Sequence, residues 1–131
     1  MIQINEELLN HLQKAAKESQ RKRMHYDLRN GSEDGSQRML NALEPETVLP
    51  IHRHRKTNET VVVLRGCLEE VFYDAAGKET ARFRLNPMEG SYGLSIPAGQ
   101  WHTVEVLEPT VIIEMKDGPY EPLEPEDVLA R

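Results

Sequence analysis

Two histidines and a glutamate in one short stretch have the residue types and spacing of a metal site. His52 and His54 are separated by one residue, and Glu59 follows a few positions later. In a strand, residues i and i+2 point to the same face, so both imidazoles can be directed at one point. Imidazole binds zinc, iron, nickel and copper, and a carboxylate is a common further ligand. Residues 55–58 would form a loop that lets Glu59 return to the same point.

A second cluster, Pro97-Ala98-Gly99-Gln100-Trp101-His102, supplies a third histidine. If His102 joins the first three residues, the site has three imidazoles, one carboxylate and open positions for water or substrate. Such a site takes one divalent ion, and Fe, Zn, Mn and Ni all remain open. The alternative is a charged surface loop with an unrelated buried histidine. Both spacings in one chain favour the metal site. Its affinity should fall in acid, because the imidazoles must be neutral and Glu59 ionised.

Composition limits the classes of protein and partner that fit. A chain of 131 residues with 38% hydrophobic and 29% charged residues predicts one globular domain. The net charge of −6 disfavours nucleic acid and an anionic membrane surface as partners. Cys67 is the only cysteine, and there is neither a signal-peptide pattern nor an apolar run of membrane-spanning length. We therefore expect a cytoplasmic protein without an internal disulfide.

Helical patterns are confined mainly to the start of the chain. Residues 5–20 predict a helix capped by Asn5, with one apolar stripe. Residues 22–28 alternate between apolar and polar side chains, which predicts a half-buried strand. Ser36 is expected to cap a short helix over 37–42.

The remainder of the chain predicts strands separated by turn residues. A β-branched run at 60–64 should be buried on both faces and end at Gly66. The predicted strands are 47–54, 60–64, 68–73, 79–85, 92–96, 101–107 and 110–116. Many short strands with regular turns favour an antiparallel sandwich or barrel. A proline-rich tail follows, and Pro125 could start a last short helix.

Strand parity extends the candidate site beyond the metal ligands. If Glu59 points inward, Arg65 does too, and it could bind a substrate carboxylate or phosphate. Glu114 is a candidate general base or partner of a metal ligand, and His25 is a second catalytic candidate. Arg23 and Tyr120 are candidate substrate contacts at the mouth of the pocket. The alternative for Tyr120 is packing against the barrel, and for the other four residues it is a solvated side chain.

The two histidine clusters resemble the paired motifs of the cupin superfamily. His52-x-His54, Glu59 and Gly66 match the first motif, and Pro97-x-Gly99 with His102 matches the second. The resemblance covers residues 46–106. This chain has Glu46, Ser91 and Val106 where the motifs usually have glycine, glycine and asparagine, and none of these is a ligand position. The resemblance implies a mainly all-β fold, the double-stranded β-helix or jelly-roll barrel, with an N-terminal helix added.

Further segments resemble the WbuC family of bacterial cupin-fold metalloproteins. They are Gln-Arg-Met-Leu-Asn-Ala-Leu at 37–43, Pro-x-His-x-His at 50–54 and Lys-x-Gly-Pro-Tyr at 116–120. Genes of that family are associated with clusters for surface-polysaccharide synthesis. The resemblance implies one metal per chain and that biosynthetic setting, and it supplies no reaction.

These observations lead to one functional hypothesis and one alternative. The hypothesis is a metal-dependent enzyme, isomerase-like, epimerase-like or oxygen-dependent, acting on a small sugar-like or acidic metabolite. The alternative is a non-catalytic metal-centred module that binds or senses a small ligand. An inward Glu114 or His25 favours the enzyme, whereas a pocket lined only by valines and Arg65 favours binding.

The expected organisation is a single domain over 1–131. It has a helical segment at 1–20, a barrel at 21–116 and a tail at 117–131. A homodimer is expected, because two-fold pairs are the commonest oligomers.

Overall fold

Two long strands form the centre of the fold. The computed structural model describes residues 1–129. Its elements are α1 (Glu6–Glu18), β1 (Arg23–Asp27), β2 (Gln37–Leu43), β3 (Ile51–His52), β4 (Glu59–Tyr73), β5 (Glu79–Leu85), β6 (Gly93–Ile96), β7 (Trp101–Lys116) and β8 (Val128–Leu129). Short 3₁₀ turns lie at Pro87–Glu89 and Pro125–Asp127.

The strands pair antiparallel around the two central ones. β4 and β7 run alongside each other from the pair Glu59 and Lys116 to the pair Tyr73 and Trp101. On one side the order is β1-β2-β7-β3-β8, and β4 also pairs with β5 and β6. This arrangement wraps one sheet around an apolar interior, which confirms the predicted antiparallel barrel.

Alternate residues of the strands fill that interior. The buried cluster consists of Leu43, Val61, Val63, Leu68, Phe72, Leu85, Ile96, Val106 and Ile112. A second cluster lies outside the barrel, where Leu9, Leu12 and Ala16 of α1 pack on Leu40, Ala42 and Val111. The side chain of Asn5 accepts from the backbone N–H of Leu8 at 3.0 Å, which confirms the predicted N-cap.

Gly66 bends β4 without ending it. Its φ is +99°, and the register with β7 shifts between Val63 and Arg65 and again on either side of Cys67. Before the bulge the core residues are at odd positions, and after it they are at even positions such as Leu68 and Phe72. The prediction that the strand ends at Gly66 was therefore wrong, because a glycine bulge lets pairing continue.

The predicted helix over 37–42 was also wrong. Residues Gln37–Leu43 form β2, which pairs with β1 on one edge and β7 on the other. Leu40 and Ala42 face α1, whereas Leu43 faces the barrel interior. Helix-favouring side chains are overruled here by tertiary pairing. Asp34, not Ser36, organises the preceding turn, since its Oδ1 accepts from the N–H of Ser36 at 3.0 Å.

Other boundaries need smaller corrections. Only Ile51–His52 of the predicted strand 47–54 is a strand, and segments 101–107 and 110–116 join as β7. The run 60–64 is not buried on both faces, because Leu64 is 37% exposed.

In the C-terminal tail, β8 pairs with β3. Residues 130 and 131 of the expected tail lie outside the described residues. None of the helices in residues 1–129 has the length and apolarity to span a bilayer.

Candidate metal centre

Three histidines meet inside the barrel. His52 of β3 and His102 of β7 are direct partners across the sheet, and His54 follows β3. One ring nitrogen from each of the three lies within 4.8 Å of the other two. The N–H of Gly99 donates to the carbonyl of His54 at 2.8 Å, which ties the two histidine segments together. The two motifs that are distant in sequence therefore converge in space.

Backbone carbonyls orient two of the imidazoles. Nδ1 of His52 lies 2.9 Å from the carbonyl oxygen of Pro50, and Nδ1 of His102 lies 2.9 Å from that of Gln100. An Nδ1–H that donates to a carbonyl leaves Nε2 unprotonated and available to a metal. The backbone around each histidine thus presents the nitrogen that a metal needs.

Glu59 lies beside the histidines, where the sequence predicts a fourth ligand. Its Oε2 lies 3.5 Å from Nε2 of His54 and 3.5 Å from Nε2 of His102. Glu59 is 5% exposed, and Oε2 has no hydrogen-bond partner among the described residues. A buried carboxylate oxygen without a partner is costly, and a cation between it and the imidazoles would satisfy it. Three imidazole nitrogens and one carboxylate oxygen fit a divalent transition metal.

The protonation states also suit a metal. Burial, together with the charge of His102 for His52 and of Lys116 for His54, lowers the pKa of each histidine to about 4. Burial alone would raise the pKa of Glu59, but the neighbouring His102 ring and the charge of Lys116 outweigh it and lower that pKa to about 2. At neutral pH the imidazoles of His52 and His54 are therefore neutral and the Glu59 carboxylate is ionised, as metal binding requires.

The four residues lie in the wall of a cavity of about 150 Å³. The other residues that line it are Asn41, Leu43, Leu49, Val61, Glu70, Val104, Ile112, Glu114 and Lys116. An outer cleft of about 500 Å³ lies between the loop 53–57 and the tail. His54 and Lys116 line both spaces, so the cleft and the cavity adjoin at these two residues.

Glu114 lines the cavity, as its strand parity predicted. Nδ2 of Asn41 donates to Oε1 of Glu114 at 3.1 Å and holds this carboxyl in place. Burial, and then the negative charge of Glu59, raise the pKa of Glu114 to about 7. A carboxyl group with that pKa can exchange a proton near neutral pH. Glu114 is therefore a cavity residue whose raised pKa suits a general acid or base.

Glu70 is a cavity residue that the sequence analysis missed. It is 2% exposed, and its Oε2 has no hydrogen-bond partner among the described residues. Burial and the charges of Glu59 and Glu114 hold the pKa of Glu70 well above its usual range. Simple parity from Glu59 places position 70 outside the barrel, and the bulge at Gly66 reverses that parity. A glycine between two apolar runs was the available signal.

Glu70→Gln is expected to change how the stability of the metal-free protein depends on pH. A carboxyl whose pKa is raised by folding contributes stability below its unfolded pKa and loses it as the pH rises. The glutamine variant should therefore gain stability relative to wild type between pH 5 and pH 8. Urea denaturation in the presence of a chelator measures this difference. A constant offset at every pH would contradict the assignment, since only a titrating group gives a slope.

Arg65, the candidate substrate contact, lies against helix α1 and away from the metal cavity. Its guanidinium binds helix α1 through Glu6, Asn10 and Gln13, at 2.5–3.0 Å. It lines neither the cavity nor the cleft. The prediction that Arg65 points inward was wrong, because the register shift after Val63 turns this side chain to the outside of the barrel.

Three other residues that the sequence suggested for catalysis or substrate binding also lie outside the cavity and the cleft. His25 is exposed on the edge strand β1, and Arg23 lies on the same strand. Tyr120 is 52% exposed, with the guanidinium carbon of Arg29 5.6 Å from its ring centroid. None of the three lines the cavity or the cleft, so the structure gives them no place in the candidate site.

A family model agrees with this chain over residues 4–85. Its description is "Domain of unknown function (DUF6016)", and the match covers more than half of the chain. The chain belongs to the DUF6016 family. No curated protein matches its sequence.

Solved structures show which fold this DUF6016 chain has. It is similar to the capsular polysaccharide assembling protein CapF from Staphylococcus aureus, with a TM-score of 0.64, 20% identity, and coverage of 79% of this chain and 29% of CapF. It is also similar to a cupin 2 domain-containing protein from Halorhodospira halophila, with a TM-score of 0.61, 17% identity, and coverage of 78% and 68%. For KdgF from Halomonas sp. the TM-score is 0.60, with 16% identity and coverage of 76% and 82%.

These similarities establish the fold of the DUF6016 chain and no activity. The chain spans less than a third of the length of CapF. The cupin fold implied by the two histidine motifs is confirmed. Fold and histidine cluster together support a metal-binding cupin. The finer resemblance to the WbuC family stays a prediction.

Proposed function

We propose that this protein is a metal-dependent enzyme of the isomerase or epimerase type that acts on a small sugar-like or acidic metabolite. Its metal would be bound by His52, His54, Glu59 and His102. The observation that carries the proposal is the position of Glu114, a second carboxyl in the wall of the same cavity. A binding module needs no acid or base beside its metal, whereas proton transfer does.

Several cavity residues would have a role in such a reaction. The metal, when bound, would supply Lewis-acid stabilisation to a substrate oxygen. Glu114 would remove and return a proton at the carbon next to a carbonyl, and Asn41 would fix its carboxyl through the 3.1 Å hydrogen bond. Lys116, where the cavity meets the cleft, would bind an anionic group of the substrate. Val104 and Ile112 would keep bulk water away from the reacting atoms.

Two resemblances support a setting in surface-polysaccharide synthesis. Segments 37–43 and 116–120 resemble the WbuC family, whose genes lie in such clusters. CapF, a structural neighbour, is described as a capsular polysaccharide assembling protein. Both observations are associations, and the chemistry of the site carries the proposal.

Deuterium exchange would test the proposal without knowledge of the true substrate. The full-length, metal-loaded protein is incubated in D₂O with a panel of aldoses, ketoses and sugar acids, and NMR follows exchange at the carbon next to the carbonyl. We expect exchange with at least one compound, and a loss of about 100-fold or more in Glu114→Gln, because a general base contributes roughly 10²–10⁴-fold.

A matched variant controls for the change of charge. Glu105 is an exposed carboxylate on the same strand, where it binds Arg82 at 2.6 Å. Glu105→Gln should leave both exchange and metal content unchanged. A protein that holds its metal and binds compounds of the panel without exchanging a proton would instead support the non-catalytic binding module. Consumption of dioxygen by an iron-loaded protein would favour the oxygen-dependent reaction.

A further inference from the structure

The oxygens without partners in this protein are concentrated in the metal cavity. Four buried side-chain oxygens lack a hydrogen-bond partner among the described residues. Three of them, Asn41 Oδ1, Glu59 Oε2 and Glu70 Oε2, belong to residues that line the cavity. A metal would satisfy Glu59, but Asn41 and Glu70 are outside the ligand set. A native structure rarely leaves such groups without a partner, so these two need another one.

Asn41 and Glu70 come from different strands, and both line the cavity. Asn41 lies on β2 and Glu70 on β4, and both strands pair with β7. Because Nδ2 of Asn41 already donates to Glu114, its Oδ1 is the atom left free. Glu70 is 2% exposed and reaches the cavity through the bulge at Gly66.

We propose that Asn41 and Glu70 form a subsite for ligand hydroxyl groups, so that the substrate class is a small polyhydroxylated acid. This rests on the proposed function, because the subsite adjoins its metal. A hydroxyl group both donates and accepts, so it complements the Asn41 amide oxygen and the Glu70 carboxyl in either protonation state. The acid group would remain at Lys116.

Other ligand groups fit these two oxygens less well. A carboxylate only accepts hydrogen bonds, so it offers no donor to the Asn41 oxygen, and it would lie near the ionised carboxylate of Glu59. An ammonium group donates, but it would have to pass Lys116 and lie beside a divalent cation. The cavity of about 150 Å³ has room for about five waters at roughly 30 Å³ each. It therefore takes one hydroxylated end of a ligand, and the outer cleft takes the remainder.

Calorimetry with two matched probes tests the subsite. D-gluconate and hexanoate have the same number of carbons and one carboxylate, and only gluconate carries hydroxyl groups. We expect the metal-loaded full-length protein to bind gluconate at least about 10-fold more tightly, as one or two additional hydrogen bonds would give. Glu70→Met and Asn41→Ala should each reduce that preference by about 10-fold. Leu107→Ala, an apolar change at an exposed position of β7 outside the cavity wall, should leave it within about 2-fold.

Metal content and folding are measured on every sample. If the protein holds metal and prefers neither probe, or if both variants keep the full preference, the hydroxyl subsite is wrong and the proposed metal enzyme survives. If the wild type holds no metal yet shows a preference that depends on Glu70, the proposed function fails and the subsite stands. Circular dichroism shows whether the Glu70→Met protein is folded. If this variant is unfolded, the binding preference of Asn41→Ala alone tests the hydroxyl subsite.

Discussion

His102→Ala is expected to remove the metal from the purified protein. His102 is 3% exposed, and its Nε2 lies 3.5 Å from Oε2 of Glu59. Alanine leaves two imidazoles and one carboxylate around an enlarged cavity. Loss of a residue that merely orients a ligand typically weakens metal binding by about 10–100-fold, so loss of the ligand should weaken it by at least about 100-fold. Elemental analysis should fall from about one metal per chain to a trace.

The control for this variant is another histidine of the same chain. His11 is exposed on helix α1, so His11→Ala removes an imidazole without touching the cavity. It should keep the wild-type metal content. If His102→Ala holds metal as tightly as His11→Ala, the two histidine segments do not form one site. If the wild type stays empty after incubation with Fe, Zn, Mn and Ni salts, the four-residue ligand set is wrong.

Gly66→Ala is expected to destabilise the protein by about 2–5 kcal/mol. The φ of +99° costs an alanine about 1–2 kcal/mol. Its Cβ would also collide with the carbonyl oxygen of Pro109 and approach Cα of Thr110 to 2.7 Å. Collisions with backbone in a packed region add about 1–3 kcal/mol. Urea denaturation of the metal-free protein measures the sum.

Gly77→Ala is the control that separates the cost of the backbone conformation from the cost of the steric collision in Gly66→Ala. Gly77 has a similar φ of +84°, but an added Cβ meets nothing within 4 Å. Its variant should lose only the conformational part, about 1–2 kcal/mol. Equal losses in the two variants would show that the contact with β7 near Pro109 contributes nothing. A Gly66→Ala protein that remains folded should also bind gluconate less selectively, because the bulge is what turns Glu70 inward.

The fold and the convergence of the three histidines were predictable because their signals are local or periodic. The pair His52 and His54 needs only strand parity, and the hairpin to Glu79–Leu85 was predicted to the residue. Ile112 and Glu114 share a face in any regular strand. The alternation in segment 22–28 likewise predicted β1 within one residue at each end.

The rest of the cavity depends on tertiary structure. Glu70 and Arg65 exchange sides because the bulge at Gly66 changes the parity of β4, and the glycine alone does not say by how many residues. Asn41 was placed in a helix because its segment contains good helix formers. Two strands flank that segment in the fold, and their pairing outweighs local preference.

Because β3 and β7 pair only in the folded protein, the amount of this protein in a cell should depend on how much metal is available. His52 and His54 come from the first half of the sequence and His102 from the second, so an unfolded chain retains only the local pair. Metal then binds the native state preferentially and stabilises it by RT ln(1 + [metal]/Kd), which is about 2.7 kcal/mol at a hundredfold excess over Kd. A cell starved of that metal would therefore hold more unfolded chain, and proteases would degrade it faster.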